Sequence, residues 1–109
     1  MAFYSLYYSY NPNQKERYNT MEKYNGYTNY PTWNVIRWID NKEGSYNYWH
    51  DAAREAEDAS DLARRLQEEH EEDAPDLGAS IFSDMLGFAM GLVNWYEIAE
   101  MLIEDVKEG

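Results

Sequence analysis

The chain has 109 residues, with 21 acidic side chains against nine basic ones and no cysteine. This length holds one domain, and a net charge of -12 argues against direct binding to other polyanions such as DNA, RNA or an anionic membrane surface. The lack of cysteine excludes disulfides, thiolate metal sites and thiol nucleophiles, which is typical of an intracellular protein.

The chain begins with a segment rich in tyrosine and asparagine that has no helical period. Tyrosine has a high strand propensity, so residues 3–10 can form one short strand, and an ordered coil stays open as the alternative. We predict an irregular Tyr-rich arm over residues 1–29 and an acidic helical domain over residues 30–109.

Helical periodicity begins at Tyr30 and continues to the end of the chain. Pro31 suits a first helical turn, with Asn29 or Tyr30 as the N-cap. Ser60 is the predicted N-cap of the third helix, and Asn94 that of the last. The first four predicted helices cover residues 30–41, 45–58, 61–72 and 79–92.

The fourth helix, over residues 79–92, is apolar nearly all round, so we predict that it is the central and buried element. Its Gly87 and Gly91 would let another backbone come close. The last helix carries one apolar stripe, from Trp95 to Val106, with acidic residues opposite. These patterns predict an all-α fold, a small bundle of about five helices.

No signature of catalysis stands out in the sequence. The only histidines, His50 and His70, lack metal-binding spacing, and we expect both on solvated helix surfaces. Only Asp84, within the apolar fourth helix, is placed for a raised pKa, and facing solvent or pairing with an arginine is the commoner role. Serine nucleophile motifs and phosphate-binding glycine loops are missing. We therefore expect no enzyme, no metal and no cofactor.

Negative charge is concentrated in the second half of the chain. Residues 1–50 hold five basic and four acidic groups, a net of +1, whereas residues 51–109 hold four and 17, a net of -13. Carboxylates four residues apart on a helix are separated by about 6 Å of axial rise, close to two phosphate steps of a DNA strand. Ordinary solubility of amphipathic helices is the alternative explanation. The acidic candidates for partner binding are Asp51, Glu55, Asp58, Glu68, Glu69, Glu71, Glu72, Glu97, Glu100 and Glu104.

The aromatic residues are concentrated in the first half, which holds ten of the 11 tyrosines and three of the four tryptophans. One small core cannot absorb so many tyrosines, so we expect some of them to form an exposed, adhesive surface. The aromatic candidates for partner binding are Tyr7, Tyr8, Tyr10, Tyr24 and Tyr27.

Two segments resemble a known group of proteins. They are YNGYTNYPTWNVIRWIDNKEGSYNYW at residues 24–49 and VNWYEIAE at residues 93–100. Over residues 24–106 the chain resembles small acidic proteins of bacteriophages and mobile elements with the pattern NGYTNxxTWNVxxWxDNxEGxYxYW. Pro31 departs from the acidic residue that is common there. The resemblance implies no catalytic residues, and it implies a mobile-element setting, in which small acidic proteins often counter host defences.

The concentrated negative charge, the rows of carboxylates along the helices and the resemblance to mobile-element proteins together favour a non-enzymatic phage-type inhibitor. It would be a DNA mimic of the antirestriction or anti-CRISPR kind. Its partner would be a host protein with a basic nucleic-acid-binding surface, in the cytoplasm of the bacterial host, with no direct nucleic-acid or membrane partner. The alternative is a protein-interaction or oligomerisation module with an exposed Tyr/Trp surface, and a homodimer stays open. A third hypothesis is a small-ligand pocket between Trp33, Trp38, Trp49 and Trp95.

Overall fold

The computed structural model describes residues 23–108. No strand occurs among them, and a single antiparallel bridge joins Tyr24 to Tyr27 in the turn before the first helix. The small all-α bundle predicted from the sequence is therefore confirmed, whereas the strand considered for residues 3–10 lies outside the described residues. The helices are α1 (Tyr30–Asn41), α2 (Glu43–Glu55), α3 (Ala59–Asp73), α4 (Ile81–Gly91) and α5 (Trp95–Glu108).

The start of α1 is fixed by its N-cap, Asn29. Its side-chain oxygen accepts hydrogen bonds from the backbone N–H of Thr32 at 3.0 Å and from the Thr32 hydroxyl at 2.7 Å. Pro31 occupies the first turn, where its missing N–H costs nothing. Of the two caps considered, Asn29 rather than Tyr30 is therefore the one used.

The start of α3 differs from the prediction. Asp58, not Ser60, is the N-cap: its backbone is extended, and its carboxylate accepts a hydrogen bond from the N–H of Asp61 at 2.8 Å. Ser60 lies inside the first turn instead. Because a carboxylate both caps the helix and complements its positive N-terminal dipole, Asp58 can begin the helix two residues earlier than a Ser60 cap would.

Helix α5 is the centre of the bundle. It packs against α3, α2 and, less extensively, α1. Ile98, Ala99 and Leu102 have no exposed surface, because their spacing of one, three and four residues puts them on one stripe that faces all three neighbours. The core also contains Ile36, Ile39, Trp49, Ala52, Ala53, Leu62, Leu66, Val93 and Trp95.

The prediction that the fourth helix is the buried centre is wrong. None of the residues of α4 is fully buried, and Ile81, Phe82 and Met85 are 64%, 63% and 65% exposed. Since the stripe of α5 is already covered by α1, α2 and α3, no face of the core is left for α4, which lies at the side of the bundle with only slight contacts to other helices. Within residues 23–108, no helix combines the length and apolar composition that crossing a bilayer requires.

The junction between α4 and α5 is tied to the start of α1. The Asn29 side-chain N–H₂ donates to the carbonyl of Leu92 at 2.7 Å, and the Thr32 hydroxyl accepts from the backbone N–H of Asn94 at 2.9 Å. Thr32 has no exposed surface, so both of its hydroxyl hydrogen bonds are made inside the protein. These bonds fix where α4 ends and α5 begins.

Candidate functional site

Four of the ten acidic candidates are paired with arginines. Asp51 accepts a hydrogen bond from Arg54 at 2.7 Å, and the guanidinium of Arg64 lies 3.5 Å from Glu68. The guanidinium of Arg65 lies 2.9 Å from the carboxylate of Glu69 and 3.9 Å from that of Glu55. Much of the charge predicted for the outer face of α2 and α3 is thus offset locally.

Glu69 belongs to a compact network on that face. The hydroxyl of Tyr48 donates to one Glu69 oxygen at 2.6 Å, and Arg65 donates to the other at 2.9 Å and to the Tyr48 oxygen at 3.0 Å. The hydrogen bond from Tyr48, with the help of Arg65, lowers the pKa of Glu69, and the hydrogen bonds to Tyr48 and Glu69 raise the pKa of Arg65. Both charges persist at neutral pH, but they face each other rather than a partner.

Two further acidic candidates have roles in the fold. Asp58 caps α3, as described above. Glu97 accepts a hydrogen bond from the backbone N–H of Thr28 at 3.0 Å, which holds the turn before α1 against the start of α5. The N–H of Glu97 itself is capped by the side chain of Asn94 at 3.1 Å.

Of the four remaining acidic candidates, two lie at the C-terminal end of α3 and two lie on α5. Glu71 and Glu72 are in its last turn, and Glu71 accepts a hydrogen bond from Gln67 at 3.0 Å. Asp58 and Glu72 are 14 residues apart, about 21 Å along the helix. Glu71 and Glu72 therefore do not continue the row that Glu100 and Glu104 form on α5.

The structure brings three of the candidates together in one place. A surface groove of about 500 Å³ lies between the α2–α3 corner and α5, lined by Asp58, Glu100 and Glu104 and also by Glu57, Ile103 and Lys107. Within the described residues, no ion pair engages Glu57, Glu100 or Glu104. We call the four carboxylates Glu57, Asp58, Glu100 and Glu104 the acidic groove; four negative charges and one lysine meet there.

Glu57 was missed by the sequence reasoning. The second helix was predicted to run to residue 58, which assigned Glu57 to a helix face away from the acidic row. In the structure α2 ends at Glu55, and Glu57 stands in the turn that leads into α3. The signal that could have found it is Asp58 itself, because an aspartate followed three residues later by Asp61 at the start of an apolar period is a helix N-terminus.

The aromatic candidates are divided by the structure. Tyr24 is 41% exposed, and its ring lies 5.1 Å from that of Tyr30 and 5.0 Å from that of Trp33. The guanidinium of Arg37 lies 5.4 Å from the Trp33 ring centre. We call these four residues the aromatic surface. Tyr27 is half-buried against the core, where burial, ahead of nearby carboxylates, raises its pKa. Tyr7, Tyr8 and Tyr10 lie outside the described residues.

The four tryptophans do not surround one pocket, so the third hypothesis is wrong. Trp49 and Trp95 are buried in the core, and the ring of His70 lies between them, stacked on Trp49 with centroids 5.5 Å apart and tilted against Trp95 at 5.3 Å. Trp38 is 54% exposed on α1. The tryptophans fill the core or face solvent according to their own helix faces.

The histidines are also not solvated as expected. His50 is buried, its Nδ1 lying 2.7 Å from the carbonyl of Tyr46 and its Nε2 3.4 Å from the carboxylate of Asp105. Asp40 lies in the same neighbourhood, and burial, together with Asp105, raises its pKa while His50 opposes the shift. No set of three or more histidine, aspartate or glutamate side chains in residues 23–108 is placed to hold a metal ion.

Asp84 takes neither of the roles that the sequence favoured. Its side chain is half-buried, and its Oδ1 atom is buried without a hydrogen-bond partner among residues 23–108. No ion pair joins it to an arginine among those residues.

Fold and surface define a small five-helix protein with a groove of carboxylates and an exposed aromatic cluster, and no assembled catalytic constellation in residues 23–108. The profile of DUF7249, a family of unknown function, matches residues 20–108, and the chain belongs to this family. No curated protein and no solved structure matches the chain.

Proposed function

We propose that this protein is a non-enzymatic, phage-type inhibitor of a host nucleic-acid-binding defence protein, such as a restriction enzyme or a CRISPR effector. It would act in the bacterial cytoplasm by occupying a basic groove in place of nucleic acid. The observation that supports this proposal is the acidic groove, in which three carboxylates stand without a cationic partner in the described part of the chain. The resemblance to small acidic mobile-element proteins supports the setting.

Physical chemistry favours these carboxylates over the other acidic residues as the contact. A carboxylate that already shares an arginine gains little from a second cation, whereas an unpaired one gains a full charge-assisted hydrogen bond. Glu100 and Glu104 are one helical turn apart, about 6 Å, so their carboxylates present charge at close to the repeat of every second phosphate. The surrounding net charge of -12 would steer a basic partner toward the groove.

The aromatic surface favours a second candidate function. Tyrosine, tryptophan and arginine are the residue types that dominate binding hot spots, and Tyr24, Tyr30, Trp33 and Arg37 bring all three together. In that case the protein would be a protein-interaction module whose binding depends on aromatic burial rather than on charge.

Charge-matched variants separate the two functions. The pair Glu100→Lys and Glu104→Lys changes the acidic groove, and the control pair Glu72→Lys and Asp73→Lys changes the far end of α3. Each reversal changes the charge by +2, so both double variants move the net charge from -12 to -8. Wild-type and variant proteins are immobilised, exposed to host lysate and eluted with increasing salt and then with duplex DNA.

The inhibitor function predicts a nucleic-acid-binding protein that is retained by wild type and by the control pair, is lost from the Glu100/Glu104 pair, and is released by salt or DNA. Equal retention by both pairs would overturn it. A partner that resists salt and is lost from Trp33→Ala would support the aromatic alternative.

A further inference from the structure

Helix α4 presents an apolar seam whose three largest side chains are mostly exposed in the described part of the chain. Phe82, Met85, Ala89 and Leu92 follow one another at intervals of three, four and three residues, the spacing by which two helices pair side by side. Ile81 lies next to Met85 on the same side of the helix. Ile81, Phe82 and Met85 are each about two-thirds exposed, and we call these three residues, with Ala89 and Leu92, the α4 seam.

The seam lies in the least charged part of the chain. From Leu77 to Tyr96 the only charged residue is Asp84, which is half-buried and has one buried carboxylate oxygen. A molecule with a net charge of -12 repels its own kind, so a second copy can approach closely only where carboxylates are absent. The seam meets that condition, whereas the acidic groove and the outer face of α3 do not.

The size of the seam also fits self-association. Three large apolar side chains about two-thirds exposed, with the half-buried residues beside them, form a patch on the order of 400–500 Å². A two-fold pair would bury at most about twice that, which is below the range of stable interfaces and within that of weak, transient ones, as expected for a reversible dimer. A helix seam is self-complementary when two copies run antiparallel across a two-fold axis.

We propose that two copies of this chain associate through the α4 seam into a weak homodimer. The second copy supplies tertiary packing for the exposed side of this 11-residue helix, whereas Met90 on another side packs against the core. The dimer leaves the acidic groove free, because the groove is formed by the α2–α3 corner and α5. The proposal is therefore independent of the proposed function.

The chain contains no cysteine, so single-cysteine variants test the geometry directly. Met85→Cys and the control Trp38→Cys both introduce one thiol at an exposed apolar position of a helix. With a short bismaleimide, we expect the full-length Met85→Cys protein to form covalent dimers in a yield that rises with protein concentration, and Trp38→Cys to give only background. Equal yields from the two variants would overturn the proposal.

Sedimentation velocity on the unmodified chain and on Met85→Glu gives the second measurement. Wild type should shift from 12.9 kDa toward twice that mass with concentration, and added salt should strengthen the association by screening the repulsion between copies. Met85→Glu should associate at least about tenfold more weakly with an unchanged helical circular dichroism spectrum. A wild-type protein that stays monomeric overturns the proposal. The proposal is also overturned if the protein is monomeric and the Met85→Cys thiol resists alkylation, because another part of the same chain would then cover the seam.

Discussion

Helices α4 and α5 are neighbours in the chain, and the more apolar of the two is the less buried. Helix α4 has apolar residues on every side, yet its Ile81, Phe82 and Met85 are mostly exposed. Helix α5 carries five carboxylates and still supplies the fully buried centre of the core. The difference teaches that a single well-defined stripe, not total hydrophobicity, determined which helix the other three pack around.

The same contrast separates the two outer surfaces. The outer side of α5 is acidic and, together with the α2–α3 corner, forms the acidic groove. The outer side of α4 is apolar, and its Ile81, Phe82 and Met85 are mostly exposed. One surface suits a basic partner and the other suits a second copy. Substitutions that act differently on the two helices test this comparison.

The largest effect on the free energy of unfolding is expected when one large apolar side chain is truncated in each of the two helices. Leu102→Ala in α5 removes a side chain with no exposed surface and should lower the free energy of unfolding by about 2–5 kcal/mol. Phe82→Ala in α4 should change it by less than about 0.5 kcal/mol in dilute solution, because Phe82 is mostly exposed. Urea unfolding followed by circular dichroism measures both. Similar losses in the two variants would break the comparison.

A smaller effect is expected at the point where α4 and α5 meet. Thr32→Val keeps the shape of the side chain but removes the acceptor of the Asn94 N–H and the donor to Asn29. Leaving these groups unpaired should cost about 1–3 kcal/mol of the free energy of unfolding. The same urea titration checks this value, and Thr28→Val, which removes only the acceptor of the Asn94 side-chain N–H₂ at 3.1 Å, is the comparison variant and should cost less. A Thr32→Val protein as stable as wild type would show that the junction is held by other contacts.

Removing the N-cap of α3, the helix most extensively packed on α5, should lower the free energy of unfolding by less than Thr32→Val does. Asp58→Ala removes the side-chain acceptor of the Asp61 N–H and should cost about 0.5–2 kcal/mol. Ser60→Ala removes the cap that the sequence favoured and should be nearly neutral. Thermal unfolding of the two variants under identical conditions ranks them, and the reverse order would contradict the observed start of α3.

The smallest effects concern ionisable side chains, first Asp40 on α1. Burial and Asp105 raise the pKa of Asp40 above its ordinary 3.8, so the folded state holds this proton more tightly than the unfolded state does. The ionised carboxylate therefore costs stability at neutral pH, and the cost disappears as pH falls from the raised pKa through 3.8. Asp40→Asn should raise the melting temperature at neutral pH, and this gain should shrink as the solution is acidified.

Glu69→Gln, on α3, should change the melting temperature at neutral pH in the opposite direction from Asp40→Asn. Because the folded state lowers the pKa of Glu69, its ionised form adds stability at neutral pH, and that stability is lost as pH falls through the lowered pKa. Melting temperatures across the acid range should therefore show Glu69→Gln below wild type at neutral pH and approaching it in acid. Two variants with the same sign of effect would contradict the contacts described for these carboxylates.

How much of this could be predicted from the sequence depended on how local the cause was. Asn29 and Pro31 act within one turn, and the start of α1 at Tyr30 was predicted correctly from them. Helical spacing also indicates two ion pairs, Arg65 with Glu69 at i,i+4 and Arg54 with Asp51 at i,i+3. The position of α4 was not, because an all-round apolar helix has no face that points to a neighbour.

The candidate site shows the same limit. The acidic row of Glu100 and Glu104 follows from helical spacing, but its meeting with Glu57 and Asp58 depends on the packing of α5 against the α2–α3 corner. The bond from Glu97 to Thr28 joins residues 69 positions apart, and no local pattern indicates it. Only the tertiary structure distinguishes carboxylates that hold the fold from those left for a partner.

The most direct test of the contrast between the two helices is amide hydrogen exchange on dilute full-length protein, measured residue by residue. We expect the amides of α5 around Ile98 and Leu102 to exchange slowest in the molecule, at the rate of global unfolding. The amides of α4 from Met85 to Ala89 should exchange much faster through local opening. Protection of α4 equal to that of α5 in the dilute monomer would contradict the account, because α4 would then belong to the core.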